Sequence, residues 1–354
     1  MRLAARAAAW TLLAALAGCS ALGLQPRPPI EWTRLPDLRV PLGGQFAGVS
    51  GGALVVAGGA HFPVPMFEGG KKQWVDTVYA LEPGAALWQE VGSLEGPLAY
   101  GASVTTADGI LLIGGCNAER CLDRVVRLRY AGGQVEQTAL PNLPKPCAYT
   151  SAARMGSTVY VAGGQDLPRP VAALKNFWAL DLDQPEPQWQ ELEPWPGPGR
   201  VLPVAGVADG AFYLFGGCKL KTDQAGRRWR EYLADAYRYR PGEGWEPIAD
   251  LPRPMAGAPS PAPVLGRELV VLGGDDGANA LKVWQLRDRH PGFRHEVLAY
   301  DPAADQWRVL QDLPAALVTT TAVAWQGGIV VPGGEDRPGH RSATVLFGRP
   351  TAQK

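Results

Sequence analysis

Residues 53–59, with the sequence ALVVAGG, are the first of six short apolar runs that each end in two glycines. The runs recur at intervals of 49 to 60 residues along the 354-residue chain. The other five are ILLIGG (110–115), VYVAGG (159–164), FYLFGG (212–217), LVVLGG (269–274) and IVVPGG (329–334). A period near 50 with a diglycine after a buried strand is typical of Kelch repeats, in which each repeat forms one blade of a β-propeller.

The rest of each repeat follows a constant order. A loop of variable length comes after the diglycine, then a strand that carries Tyr or Leu, then a strand that usually carries tryptophan. These tryptophans are Trp88, Trp189, Trp245 and Trp307, and the second repeat lacks one. The order predicts blades of four antiparallel strands, with glycines where backbones come close and tryptophans packed between blades.

The sixth repeat lacks its last strand, because the chain runs out soon after SATVLF (342–347). The missing strand is found at the other end, in IEWTRLP (30–36). Pairing of these segments would close the ring and remove a free sheet edge. We therefore predict an all-β fold, with one six-bladed Kelch-type propeller over residues 30–350 whose last blade is closed by the N-terminal strand.

The first residues resemble a bacterial lipoprotein signal. Arg2 and Arg6 precede an apolar run at 7–17 that is too short to span a membrane, and LAGC (16–19) matches a lipobox. We expect a signal peptide at 1–18, lipidation of Cys19, a tether at 19–29, and an exported, membrane-anchored protein in the periplasm or cell envelope. Ser20 favours the outer membrane by resemblance to enterobacterial lipoproteins. An ordinary signal peptide with an incidental cysteine is the alternative.

Charge and metal-ligand content exclude some classes of function. The chain has 34 Lys and Arg and 34 Asp and Glu, so no basic field argues for nucleic acid as a partner. It has four histidines and no CxxC motif, so we expect no metal site. Cys116 and Cys121 share one loop and could pair in an oxidising compartment, which the count of cysteines does not decide.

The loops between the second and third strands of the repeats are long and polar, whereas the opposite turns are short. Insertions on one face of a repeat protein mark the working face. The residue after each diglycine should lie near this mouth: Ala60, Cys116, Gln165, Cys218, Asp275 and Glu335. Arg341 follows Glu335 by six residues, so a carboxylate and a guanidinium at one mouth could serve as base and anion anchor, or as a surface ion pair.

Three segments resemble one family over nearly the whole chain after residue 30. GGQFAGVSGGALVVAGGAHF (43–62) with EGGKKQWVDTVYAL (68–81), AYGAS (99–103) and IVVPGGEDRPGHRSATV (329–345) are similar to motifs of the Kelch sialic acid mutarotases, or N-acetylneuraminate epimerases. In the periplasmic enterobacterial enzyme the last motif lies mid-chain, ahead of the FAG segment. Its place at the C-terminus here resembles a cyclically permuted branch.

The resemblance implies an isomerase that exchanges the anomers of sialic acid, a small-molecule substrate, without cofactor or metal. The family's proposed proton acceptor corresponds to Glu335 and a substrate-binding arginine to Arg341, which we expect to pair with the sugar carboxylate. Further candidate binding groups are Glu68, Lys71, Lys72 and Tyr100. His61 is a weaker candidate, and Arg200 and Arg253 lie on links between blades, where a structural role is expected.

Three other functions remain open on sequence alone. Many Kelch propellers only bind partners, so the chain could be a non-catalytic module for a carbohydrate or a protein. The same Glu335 and Arg341 could serve a mutarotase for another acidic or amino sugar. A copper radical oxidase would need two Tyr, two His and a crosslinking Cys, which four histidines, mostly in loops, make a poor match.

Overall fold

The computed structural model describes residues 30–351 and shows six four-stranded antiparallel sheets arranged as blades. Strand β1 is Ile30–Leu35. Blade 1 and its inserted hairpin contain β2 (Phe46–Ser50), β3 (Ala53–Ala57), β4 (Ala60–His61), β5 (Gln73–Trp74), β6 (Thr77–Leu81) and β7 (Gln89–Ser93). Blade 2 contains β8 (Ala102–Thr106), β9 (Gly109–Ile113), β10 (Val125–Ala131) and β11 (Gln134–Leu140). Blade 3 contains β12 (Ser151–Met155), β13 (Thr158–Ala162), β14 (Phe177–Asp181) and β15 (Gln190–Glu191).

The second half of the ring repeats this plan. Blade 4 and its inserted hairpin contain β16 (Val204–Ala208), β17 (Ala211–Phe215), β18 (Cys218–Thr222), β19 (Arg228–Tyr232), β20 (Ala236–Arg240) and β21 (Gly244–Ile248). Blade 5 contains β22 (Val264–Leu265), β23 (Glu268–Gly274), β24 (Arg294–Asp301) and β25 (Gln306–Asp312). Blade 6 contains β26 (Val323–Trp325), β27 (Gly328–Arg337) and β28 (His340–Pro350), together with β1.

Helical segments are short and lie in the loops of the mouth. They are one α-helical turn, α1 (Val283–Leu286), and 3₁₀ turns at Met66–Glu68, Ala280–Lys282 and Arg287–Arg289. None of the helical segments within residues 30–351 combines the length and the apolar composition that a bilayer-spanning helix needs.

The core lies between neighbouring blades. Strands β3, β9 and β17 are buried over their whole length, because a blade covers each of their faces. This explains why their sequences are continuous apolar runs rather than alternating ones. One of the interblade clusters joins Leu54 and Trp88 of blade 1 to Val330 and Phe347 of blade 6.

Tryptophans connect successive blades, as the repeat pattern predicts. Each indole N–H donates to a backbone carbonyl just after the outermost strand of the preceding blade, over 2.8–2.9 Å. The pairs are Trp88 with Pro36, Trp189 with Pro141, Trp245 with Glu193 and Trp307 with Ala249. A buried indole thereby satisfies its donor while its ring fills the interblade space.

The ring closes as predicted. Strand β1 pairs antiparallel with β28, from Ile30 opposite Pro350 to Leu35 opposite Val345. Gln311 of blade 5 accepts a hydrogen bond from the backbone of Ile30 and donates one back to it. The N-terminal strand is thus part of blade 6, which carries Glu335 and Arg341. The predicted signal peptide, Cys19 and tether lie outside the described residues.

Candidate active site

The residue after each diglycine occupies an equivalent place at the mouth, as predicted. Each forms an antiparallel bridge with the link that enters its own blade. The bridges join Gly43 to Ala60, Ala99 to Cys116, Ala148 to Gln165, Val201 to Cys218, Ala256 to Asp275 and Val318 to Glu335. Asp275 and Glu335 are the carboxylates of this set.

A closed ring of six backbone hydrogen bonds narrows the channel below the mouth. The amide of one residue in each link donates to the carbonyl of its equivalent in the neighbouring blade, over 2.6–2.9 Å. Its members are Gly44, Tyr100, Tyr149, Leu202, Gly257 and Thr319, and all six have positive φ, between 53° and 69°. Four non-glycine residues in this conformation indicate a rigid floor that the surrounding fold imposes.

The Glu335 carboxylate lies above this floor beside Arg341. The two residues are opposite each other on β27 and β28, and Glu335 Oε2 lies 2.6 Å from Arg341 Nη1. The Thr319 hydroxyl donates to Glu335 Oε1 over 3.0 Å, and the Gly339 amide makes a longer contact of 3.4 Å with Oε2. Oε1, which accepts only the Thr319 hydrogen bond among the described residues, therefore keeps acceptor capacity for a ligand.

Arg341 has little freedom to bind anything else. Its Nε donates to the Ala60 carbonyl over 3.2 Å, and its Nη2 donates to the Tyr100 hydroxyl over 2.9 Å. The guanidinium also lies 5.3 Å from the Phe62 ring centroid, and the side chain is only 4% exposed. A Cβ at Gly43 would lie 2.6 Å from Nε, so a larger residue there would displace the arginine.

Electrostatics keeps Glu335 ionised. Burial raises the pKa of Glu335, but the charges of Arg341 and Lys72 and the hydrogen bonds from Arg341 and Thr319 outweigh burial. The pKa therefore lies below its ordinary value of 4.5. At neutral pH the group is a carboxylate, the state in which it can accept a proton.

The other sequence candidates separate into two groups. Tyr100 is buried, and its ring stacks on Tyr149 with centroids 4.6 Å apart. Lys72 is half-buried, with Nζ 4.7 Å from the Tyr100 ring centroid. Glu68 and Lys71 are exposed on the blade 1 loop. The structure thus brings Lys72 and Tyr100 to the Glu335–Arg341 pair and leaves Glu68 and Lys71 at the rim.

A cavity of about 420 Å³ opens beside Glu335, within the roughly 300–1,000 Å³ typical of ligand pockets. Its polar lining includes Asp275, which the sequence places at the mouth, and four residues that the sequence analysis did not single out: Arg228, Arg230, Tyr232 and His290. Its apolar lining includes Trp229, Leu281, Val283 and Phe293. The sequence carried one signal for this wall of the cavity. Arg228, Arg230 and Tyr232 alternate along β19, and residues two apart lie on the same face of a strand.

Several of these groups are held in place. The Tyr232 hydroxyl donates to Asp275 over 2.6 Å, and burial together with this carboxylate raises the pKa of Tyr232. His290 Nδ1 accepts from the Gly292 amide over 3.1 Å, and burial lowers the pKa of His290. Neutral His290 therefore carries its proton on Nε2.

Two arginines on the blade links have structural partners, as expected. Arg200 is fully buried and forms two hydrogen bonds with Asp235, of 2.9 and 2.7 Å. Arg253 donates to the Gly273 carbonyl and to Glu296. His61 is half-buried and lines a smaller neighbouring cavity of about 230 Å³ that Arg341 also borders.

The four cysteines of the described chain are buried free thiols. Cys116 and Cys121 lie opposite each other in an antiparallel bridge. Contact with Cys121 and the nearby Lys72 charge lower the pKa of Cys116 despite its burial.

Comparisons with known proteins bear on this site. A family model described as N-acetylneuraminate epimerase matches residues 24–136 and 140–286. The chain belongs to the N-acetylneuraminate epimerase family.

An N-acetylneuraminate epimerase of Haemophilus influenzae (strain 86-028NP) is 31% identical over 237 residues, which cover 60% of this chain and 60% of that protein. One from Yersinia enterocolitica is 27% identical over 232 residues, covering 59% and 57%. The chain thus spans about 60% of the length of these relatives.

A solved structure shows the same fold. The protein described as "Structure of YjhT" superimposes with a TM-score of 0.64 and 14% identity, covering 88% of this chain and 96% of that one. The family match ends at residue 286, before Glu335 and Arg341. The roles of these two residues and the rotated motif order therefore stay predictions.

Proposed function

We propose that this protein is a cofactor-independent isomerase that interconverts the α- and β-anomers of N-acetylneuraminate. The observation that carries the proposal is an ionised Glu335 that lines a mixed polar and apolar cavity in a chain of the N-acetylneuraminate epimerase family. The cavity suits this sugar, which has a carboxylate and hydroxyls for the polar wall and an acetyl methyl for the apolar wall.

Glu335 can carry the proton through both halves of the reaction. It takes the proton from the anomeric hydroxyl, the bond between the anomeric carbon and the ring oxygen breaks to leave a ketone, and Glu335 returns the same proton to the released ring oxygen. The ketone then turns, the ring oxygen attacks its other face, and the proton transfers run in reverse. Because the anomeric and ring oxygens are bonded to the same carbon, one carboxylate oxygen can reach both.

Anomer-exchange NMR on N-acetylneuraminate with purified protein tests the proposal. We expect exchange well above the buffer rate at neutral pH. An unchanged rate would contradict it, and binding without exchange would favour a non-catalytic module. Exchange of another acidic or amino sugar, but not of N-acetylneuraminate, would shift the substrate and keep the reaction.

We also propose that the chain is an exported lipoprotein anchored through Cys19. The proposal rests on the basic residues, apolar run and lipobox of residues 1–19. Cell fractionation tests it, since Cys19→Ala should move the protein out of the membrane fraction. Equal membrane association of both forms would contradict the anchor.

A further inference from the structure

The cavity beside Glu335 has two arginines on its walls with very different surroundings. Arg341 is enclosed and has its donors directed to Glu335, Ala60 and Tyr100. Arg230 lines the open cavity from β19 of blade 4. Within residues 30–351, its guanidinium forms no hydrogen bond or ion pair with another side chain. An unpaired guanidinium that faces a pocket is suited to bind a carboxylate from a ligand.

The hairpin of β18 and β19 directs Arg230 to this position. Arg230 lies opposite Leu220 in the register, between Arg228 and Tyr232 on the same strand face. Arg228 donates to the Arg169 carbonyl, and Tyr232 donates to Asp275, so both neighbours are engaged. Glu231 points to the other face and pairs with Lys221 over 3.0 Å.

Charge balance also favours Arg230 as an anion site. Glu335 is paired with Arg341, whereas Asp275 also lines the cavity and, among the described residues, is held only by the Tyr232 hydroxyl and the Gly277 amide. A further carboxylate entering the cavity therefore needs a cation nearby. Lys72 is close to Glu335 but lies over the Tyr100 and Trp74 rings and does not line this cavity.

We propose that Arg230 binds the carboxylate of the sugar, and that Arg341 positions and ionises Glu335 without contacting that carboxylate. This inference rests on the proposed function and reassigns the anion anchor that the family resemblance placed on Arg341. It puts the carboxylate on the blade 4 side of the mouth, with the anomeric centre directed toward blade 6.

The test compares N-acetylneuraminate with its methyl ester, which can still open and reclose but lacks the charge. For Arg230→Gln we expect the KM for N-acetylneuraminate to rise roughly 10- to 100-fold, the loss expected for one charge-assisted contact, with kcat changed less than about threefold. For the ester, the KM should differ little between wild type and variant. Arg230→Lys should recover part of the affinity, because lysine keeps the positive charge but lacks the planar guanidinium that donates two hydrogen bonds to a carboxylate.

Arg227→Gln is the matched control. Arg227 lies at the tip of the same hairpin, is exposed and pairs with Asp223, so its loss removes a nearby charge without removing a cavity group. Its KM for both compounds should match that of wild type. Equal losses on acid and ester in Arg230→Gln would overturn the proposal, as would a loss specific to the acid in Arg341→Met or Lys72→Met instead.

Direct binding separates this inference from the proposed function. If wild type does not accelerate exchange, NMR titration with N-acetylneuraminate and its ester still reports the anion site. Preference for the acid that Arg230→Gln abolishes would then support Arg230 and reject the mutarotase. Absence of both exchange and binding would overturn both proposals.

Discussion

The pairs Arg341–Glu335 and Arg200–Asp235 both place a buried guanidinium against a carboxylate. Their nearest N–O distances are similar, at 2.6 and 2.7 Å. They differ in how the carboxylate is used. Asp235 accepts one hydrogen bond on each oxygen from the two terminal nitrogens of Arg200. Glu335 meets Arg341 through one oxygen only.

The surroundings of the two pairs differ as well. The Arg200 guanidinium lies 5.3 Å from both the Trp195 and Tyr237 ring centroids, and Tyr237 also donates to Asp235. Glu335 lines the cavity of about 420 Å³, whereas Asp235 does not. A two-pronged pair flanked by aromatic rings uses both carboxylate oxygens and stabilises the ring of blades. A one-pronged pair at a cavity leaves an oxygen available for chemistry.

Replacing Glu335 should have the largest effect of any change in this comparison. Glu335→Gln keeps the shape and an acceptor for Arg341 but removes the base, so anomer exchange should fall by about 10²- to 10⁴-fold. Exchange NMR measures the rate, and thermal melting reports whether the variant is folded.

Glu296→Gln provides the matched control for that change. Glu296 pairs with Arg253 at 3.3 Å on a blade link, so the same substitution there should leave exchange unchanged. A Glu335→Gln variant that exchanges as fast as wild type would show that another group is the base, even with the activity intact.

Arg200→Met should affect stability and not chemistry. Removing Arg200 leaves Asp235 without its cationic partner and removes the hydrogen bond to the Gly216 carbonyl. The free energy of unfolding should therefore fall by about 3 kcal/mol. Denaturant unfolding measures the loss, and exchange by the folded fraction should match wild type. The pair Arg267–Asp301 is the control, since Arg267 is half exposed and Arg267→Met should cost less than about 1 kcal/mol. Exchange lost without loss of stability would contradict the structural role of Arg200.

The propeller could be predicted from sequence because its signals are local and repeated. Six diglycines, the tryptophans and the strand at residues 30–36 each correspond to one place in a blade, and β1 pairs with β28 as expected. The Glu335–Arg341 pair could also be predicted from the sequence, because the two residues face each other across a single hairpin.

The far wall of the cavity could not be predicted in the same way. Arg230 is more than 100 residues before Glu335 in the chain, and only the closed ring brings it to the same mouth. Glu68 and Lys71 show the converse limit, since they lie close to Lys72 in sequence but are exposed at the rim. Loop residues take their direction from local turns, which periodicity does not report.

The smallest predicted effect is a shift in pH dependence, and it tests why Glu335 is ionised. In wild type the acid limb of kcat/KM should have its midpoint below 4.5, since the charges around Glu335 lower its pKa. Arg341→Met removes the largest of these charges and leaves the burial that raises the pKa, so the midpoint should move to higher pH. Lys72→Met should move it in the same direction by a smaller amount, because Lys72 contributes less.

The same pair fixes the sign of the stability change. In wild type the lowered pKa of Glu335 means that its ionised form stabilises the fold above the ordinary value of 4.5, and this contribution is lost as the pH falls through the folded-state pKa. In Arg341→Met the Glu335 carboxylate is buried without its cation, so protonation of Glu335 stabilises the folded variant. The difference in melting temperature between the two proteins should therefore narrow as the pH falls, first through the raised pKa of the variant and then through the lowered pKa of wild type. A difference that stays constant with pH would mean that Arg341 acts through packing against Phe62 and Gly43 rather than through the charge of Glu335.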